Sequence, residues 1–252
     1  MNDKSQDKEG YMRAARLFVA MCICVAVVSA AYAEEKKWTD EAELSFLSTG
    51  GNTEIVSLSG KNLLKYTFTD KLLGTWRLGA LYGETDNVKT AERYFTDLRL
   101  DYSLSDKIYF FGIGGWLQDK FTGIESRYYI GPGAGYRFLT GPKHFLDGEG
   151  GFNFVSEDYI NDTEEDFLEG RLYGLYQYSF SKKNKFSQSL EFLFDFDDSD
   201  NYRINSETAF ITALSDYLSL KTSYEIKHDN EPVPATLEET DTILSVTLVV
   251  NF

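Results

Sequence analysis

The sequence predicts an all-β protein, an antiparallel transmembrane β-barrel of about twelve strands preceded by a cleavable signal peptide. Three observations predict it. Thr242, Leu244, Val246, Leu248, Val250 and Phe252 fall on one side of a final strand whose length suits a tilted crossing of a bilayer. The same period of two, with one apolar face and one charged face, recurs along the whole chain after residue 38. No apolar run of helical membrane-spanning length accompanies it.

Residues 1–33 are read as the signal: Arg13 and Arg16, an apolar run from Leu17 to Ala31, then Ala31-Tyr32-Ala33 as a cleavage-type end. Residues 34–252 then form the barrel domain. Both cysteines, Cys22 and Cys24, fall in the removable segment, so the remaining chain has no disulfide, thiol nucleophile or thiolate metal site to offer. Composition alone points elsewhere, because a mean hydropathy of -0.33 and 26% charged residues look like an ordinary water-soluble protein. A barrel hides its apolar band by alternating it with polar lumen residues, which averages away in any hydropathy window.

In order, the strands are expected near Thr39–Ser48, Glu54–Phe68, Leu72–Glu84, Glu92–Leu104, Ile108–Gln118 and Ser126–Phe138. The second six are expected near Phe145–Val155, Phe167–Phe180, Phe186–Phe196, Tyr202–Leu214, Tyr217–His228 and Thr242–Phe252. Turn signals bound each: Thr69-Asp70-Lys71, Ser105-Asp106-Lys107, Thr140 to His144, Ser181 to Lys185 and Ser215-Asp216 are tight. Between them lie longer connections, Glu84–Ala91, Asp119–Glu125, Ser156–Asp166, Asp197–Asn201 and Asp229–Asp241, as expected if every second connection faces the cell exterior. Gly50-Gly51-Asn52-Thr53 is short and departs from that rule. An even strand count places both ends of the barrel in the periplasm.

The apolar faces carry no central Asp, Glu, Lys or Arg; Glu92, at a strand end, is the exception. The opposite faces carry Arg77, Arg93, Asp97, Arg99, Asp101, Arg127, Arg137, Glu149, Glu169, Arg171, Glu191, Asp195, Arg203, Glu207, Lys221 and Glu225. Glu41, Glu43, Lys61, Lys65, Asp147 and Lys227 complete that set, which holds as many bases as acids. These residues are the expected lumen lining. A soluble sandwich could share the alternation with its apolar side inward; the aromatic weight of the apolar face and the terminal Phe favour lipid outside. With a neutral lumen, the formal net charge of -15 must sit in the connections, chiefly the longer ones.

The signal segment, the amphipathic aromatic strands and the terminal Phe together resemble Gram-negative outer-membrane barrels. In that class the last strand, here Val246, Leu248, Val250 and Phe252, is the address read by the barrel-insertion machinery. More narrowly, Trp38 to Gly51 with Gly50-Gly51-Asn52-Thr53, and Gly131-Pro132-Gly133-Ala134-Gly135-Tyr136, resemble domain of unknown function 481, a family often labelled salt-induced. The resemblance implies an outer-membrane location and a stress-linked role, and brings no catalytic residues.

Gly112, Gly114, Gly131, Gly133 and Gly135 are expected on the inner face of two neighbouring strands. There they make room for a bulky Arg or Tyr, bend the wall, or leave a hollow for a solute; no helix follows to make a phosphate loop. Pro132 lacks a ladder donor, which predicts a bulge. The acidic connections contain no calcium-ligand ladder, and no metal or cofactor is expected. His144 and His228 are the only histidines. His228 could meet Ser206 on the neighbouring strand, but the Ser two residues after the His found in outer-membrane phospholipases is Asn230 here. The chain is therefore read as not an enzyme. The acidity disfavours nucleic acid.

The expectation is a narrow or gated, weakly cation-preferring passage or an envelope-stress component. A lipid-modifying enzyme at the outer rim and a purely structural barrel with a plugged lumen are the alternatives. Its partners would be outer-membrane lipid, the insertion machinery and small ions or solutes.

Overall fold

The computed structural model describes residues 37–49, 55–86 and 88–252, and the signal segment expected over 1–33 lies outside them. Twelve strands follow in order: β1 (Trp38–Thr49), β2 (Ile55–Thr69), β3 (Leu72–Thr85), β4 (Val88–Ser103), β5 (Ile108–Asp119) and β6 (Ile124–Thr140). They continue with β7 (His144–Tyr159), β8 (Glu164–Ser179), β9 (Asn184–Asp195), β10 (Tyr202–Ala213), β11 (Leu218–Asp229) and β12 (Thr240–Asn251). Each pairs antiparallel with its sequence neighbours, and β1 pairs with β12 to close the ring. The closing pair is the shortest, running over Glu41–Leu44 against Leu248–Asn251, and closure pairs strand edges within the sheet as crossing hydrocarbon requires. Among the described residues no helix is long and apolar enough to cross a membrane.

Cross-strand partners share a face, so the direction of one side chain propagates around the wall. Outward point Leu98 (64% exposed), Ile130 (66%), Phe154 (62%) and Leu244 (74%), with Trp76, Leu172, Leu190 and Leu220. Aromatic pairs ring the end that carries Trp38 and Asn251, here called the terminal end: Tyr66–Phe68, Tyr136–Phe138 and Tyr178–Phe180, with centroids 4.9, 5.0 and 4.7 Å apart. Phe192, Phe194, Phe196 and Tyr202 form a similar group near the opposite, loop end. These are the aromatic girdles of a bilayer-spanning barrel. Glu92 faces outward as expected and pairs with Lys89. Asp40 is a second outward acid near a strand end; it accepts a 2.6 Å hydrogen bond from Asn62.

Strand β5 corrects the sequence reading. Tyr109, Phe111 and Ile113 point inward and are buried, while Phe110 is half exposed on the outside. Gly112 and Gly114 therefore face outward with Pro132 and Ile130, their ladder partners. Both faces of β5 are apolar, so alternation could not choose between them. Its neighbours choose, because β4 must turn Asp97 and Arg99 inward and β6 must turn Arg127 and Arg137 inward. Gly133 and Gly135 do lie inside, and they serve the bulkier role anticipated: a methyl group on either would collide with the Phe111 or Tyr109 ring.

Pro132 makes no bulge. The β6–β7 register is the same at Ile130↔Phe154 and Gly133↔Gly151, so no residue is inserted between them. The ladder passes over the missing donor without changing step.

The outer connections are shorter than expected because the strands run further. β3 runs to Thr85 and β4 starts at Val88, and Asp86 adopts φ 50°. β7 extends to Tyr159 and β8 begins at Glu164. Glu157, Asp119 and Asp229, assigned from sequence to connections, thus become strand residues that face the lumen. The lumen is acidic on balance rather than neutral.

Candidate functional site: the enclosed charge lattice and its cavity

The inward charges are ordered into tiers. In the half nearer the terminal end, Arg99 grips Glu149 through both terminal nitrogens, at 3.0 and 2.6 Å, and also binds Asp101 at 2.7 Å. Since Arg99 lies on β4 and Glu149 on β7, this pair bridges over β5 and β6, a quarter of the ring. Arg171 joins the tier, donating to Glu149 at 2.8 Å and Glu191 at 2.7 Å. Tyr109 places its hydroxyl 2.7 Å from both Asp147 and Glu149, and the Arg137 guanidinium sits 4.6 Å over its ring. Arg137 itself donates to the Asp106 carbonyl at the rim.

A second tier lies near the loop end and centres on Glu157, which is 0% exposed. Arg127 pairs with Glu157 and Glu169; Arg203 reaches Glu157 at 2.6 and 3.0 Å and Asp229 at 2.8 Å. Tyr159 donates to Glu157 at 2.6 Å, and Asn153 to Glu169 at 2.9 Å. A charge removed so fully from water survives only with such complete pairing. Sequence reading missed this centre because an acid run, Glu157 to Asp166, resembles a solvated loop. The signal that could have found it is the alternation Asn153, Val155, Glu157, Tyr159, which continues the inner face of β7.

Along the β1 side, Lys221 binds Glu43 at 3.0 Å and Glu207 at 2.8 Å, and Lys61 crosses from β2 to Glu225 on β11 at 2.6 Å. On the neighbouring strands β3 and β4, Arg77 donates through Nε to Asp97 at 2.8 Å. Asp119 is approached by Arg93 and by Lys227, both at 3.6 Å. β5 and β11 are six strands apart in the ring of twelve, so the Lys227–Asp119 contact spans the lumen near the loop end. Asp195, nearer the rim, accepts from the Asp197 amide at 2.8 Å and orders the β9–β10 connection.

Between the tiers lies a cavity of about 470 Å³. Arg77, Arg93, Arg127, Arg171, Asp97, Glu169, Glu191, Glu207 and Glu225 reach it, with Phe95, Tyr129 and Tyr173. At the loop end, the connection 230–239 lies against the β5–β6 turn. Gly123, at φ 85°, has no room for a side chain because the Val233 carbonyl and Leu237 occupy that space. Asn230 further ties this connection to the β9–β10 loop through the Asp200 carbonyl at 2.9 Å.

Of the expected lumen residues, all sixteen singled out by charge lie on inward faces, and the tiers bring most of them together. Val246 (58% exposed) and Leu248 (41%) lie on the outward face of β12, with Val250 on the same side. The histidines lie outside on the rims. His228 Nδ1 is 2.9 Å from the Thr240 hydroxyl, and its ladder partner is Ile204. Ser206 instead accepts from Gln188 at 2.9 Å. The sequence left a meeting of His228 and Ser206 open; the register pairs Ser206 with Ile226 instead. Among the described residues no group of three or more His, Cys, Asp or Glu is arranged to hold a metal ion.

The family model for "Protein of unknown function, DUF481" matches residues 42–252. The chain belongs to this family. It is similar to the uncharacterized protein YdiY of Escherichia coli (strain K12), with 26% identity over 207 residues, covering 82% of this chain and 80% of that protein. In structure it resembles the COG4313 outer membrane channel from Pseudomonas putida F1, with a TM-score of 0.56 and 12% identity over 89% of this chain and 98% of the channel. It also resembles the translocator domain of the autotransporter NalP from Neisseria meningitidis, with a TM-score of 0.50 and 11% identity over 99% and 97% of the two chains. The shared feature is the fold. A closed barrel with aromatic girdles, an outward apolar belt and enclosed charges is built for the Gram-negative outer membrane, where such barrels are found.

Proposed function

We propose that this barrel is a narrow passage across the outer membrane with a weak preference for cations, and that it works passively. The observation that carries the reading is the lumen itself: an ion pair spans it near the loop end and others bridge non-adjacent strands nearer the terminal end, yet a cavity of about 470 Å³ remains between them. Twelve strands lie between the roughly eight whose interior is filled by side chains and the sixteen or more that leave an open aqueous channel. Long Arg, Lys and Glu side chains bridge an interior of that size while leaving water-filled gaps. The addition of Asp119, Glu157 and Asp229 to the lumen, with the acidic loops around its mouth, supports cation preference by raising the local cation concentration. A passive role is supported by Ser206, which accepts from Gln188 rather than meeting His228.

Conductance of the refolded protein in a planar bilayer tests this. The expected result is a small single-channel current whose reversal potential in a salt gradient is displaced toward the cation value. No current at any voltage would favour a plugged structural barrel, and anion-selective current would overturn the charge argument.

A further inference from the structure

The guanidinium groups of the lumen are not equally satisfied. Arg99, Arg127, Arg171 and Arg203 each bind two carboxylates. Arg77 binds Asp97 through Nε, and its side chain is 46% exposed to the cavity. Both terminal nitrogens of its fork are without a partner among the described residues. Arg93 is similar: its carboxylate contact is 3.6 Å long, and its Nε is buried with no hydrogen-bond partner. Asp119 must also serve Lys227. The cavity as a whole is lined by five cations, Arg77, Arg93, Arg127, Arg171 and Lys227, and five carboxylates, so its open guanidinium donors and not an excess of positive charge set this sector apart.

The buried Arg93 Nε without a partner is costly, and the Arg77 terminal nitrogens, open to the cavity, present a planar fork that is matched best by a carboxylate. Beside it the cavity offers the rings of Phe95, Tyr129 and Tyr173 and the hydroxyl of Ser189. The volume falls within the range of small-molecule sites, about 300–1,000 Å³. We propose that the cavity is a binding site for a small hydroxylated carboxylate of the sugar-acid class. Its carboxylate is held by the Arg77 fork with Arg93 close by, and its ring lies against the tyrosine wall. The acidic loop end does not attract such an anion, so selectivity resides inside the barrel. The site rests on the passage reading but not on its weak cation preference, which belongs to the acidic mouth and not to the guanidinium donors of the cavity.

Titration calorimetry of the refolded full chain in detergent micelles, with glucuronate as probe and glucose as the uncharged control, tests the site independently of conduction. Glucuronate is expected to bind at one site per chain, and glucose to give no measurable heat. Arg77→Gln is expected to weaken glucuronate at least tenfold. Arg77→Lys, which keeps the charge beside Asp97 but removes the fork, should fall between the two. Arg93→Gln gives a second variant should Arg77→Gln fail to fold, with folding read from heat-modifiable gel mobility. No heat from glucuronate with the native protein, equal binding of glucose, or unchanged affinity in a folded Arg77→Gln barrel would each overturn the site. Binding without current would reject the passage alone, and current without binding would reject this site alone.

Discussion

At the scale of single residues, the lumen is governed by the cost of burying charge. Glu157 is wholly enclosed and answers to Arg127, Arg203 and Tyr159 at once. Removing one member of so buried a set costs about 3–5 kcal/mol, since the partners left behind stay desolvated and unmatched. Glu157→Gln is accordingly expected to lower the unfolding midpoint clearly in urea or heat, whereas Glu125→Gln, at an exposed pair with Lys120, should change it little. Equal, small effects from both would show that the Glu157 centre is hydrated and unimportant. Much of this chemistry was legible from residue type: long, charged side chains at every second position must be enclosed when the other positions meet lipid. Which charges pair was not legible. Partners such as Arg99 and Glu149 are 50 residues apart and meet only by bridging over β5 and β6.

At the scale of elements, the strand sequence was read well where the two faces differ and poorly where they do not. β4, with Arg93, Phe95, Asp97, Arg99 and Asp101 against Tyr94, Leu98, Leu100 and Tyr102, has a single admissible orientation. β5 has none of its own, and its direction is imposed by the register with β4 and β6. The connections were misjudged because acidity marks both solvated loops and lumen-facing strand ends. The remaining long connection, 230–239, has a titratable feature of its own. Slight desolvation and then the carboxylates of Asp198, Asp200, Asp229 and Glu165 raise the Glu231 pKa above the ordinary glutamate value. A raised acid pKa means that the ordered loop holds its proton more firmly than the disordered one. Loop stability is therefore lost as pH rises from the ordinary value through the raised one, and regained on acidification. Hydrogen exchange of the 230–239 amides should slow in mildly acidic solution, and Glu231→Gln should remove that portion of the pH dependence. Exchange that, after correction for its intrinsic pH dependence, is the same at both pH values would contradict the repulsion.

At the scale of the whole molecule, everything follows from one arrangement: apolar side chains meet hydrocarbon and ionised ones are enclosed. That arrangement explains a chain whose composition imitates a soluble protein, the aromatic girdles at the two ends, and a lumen bridged by ion pairs yet holding a cavity. The most direct test uses two adjacent residues of β9, Ser189 and Leu190, which the pleat sends to opposite sides. Spin labels on Ser189→Cys and Leu190→Cys variants in lipid vesicles would be relaxed by dissolved oxygen, which concentrates in hydrocarbon, or by a water-soluble nickel chelate. Label 190 is predicted to respond strongly to oxygen and weakly to nickel, with label 189 shielded from oxygen; the reverse pattern would contradict the account.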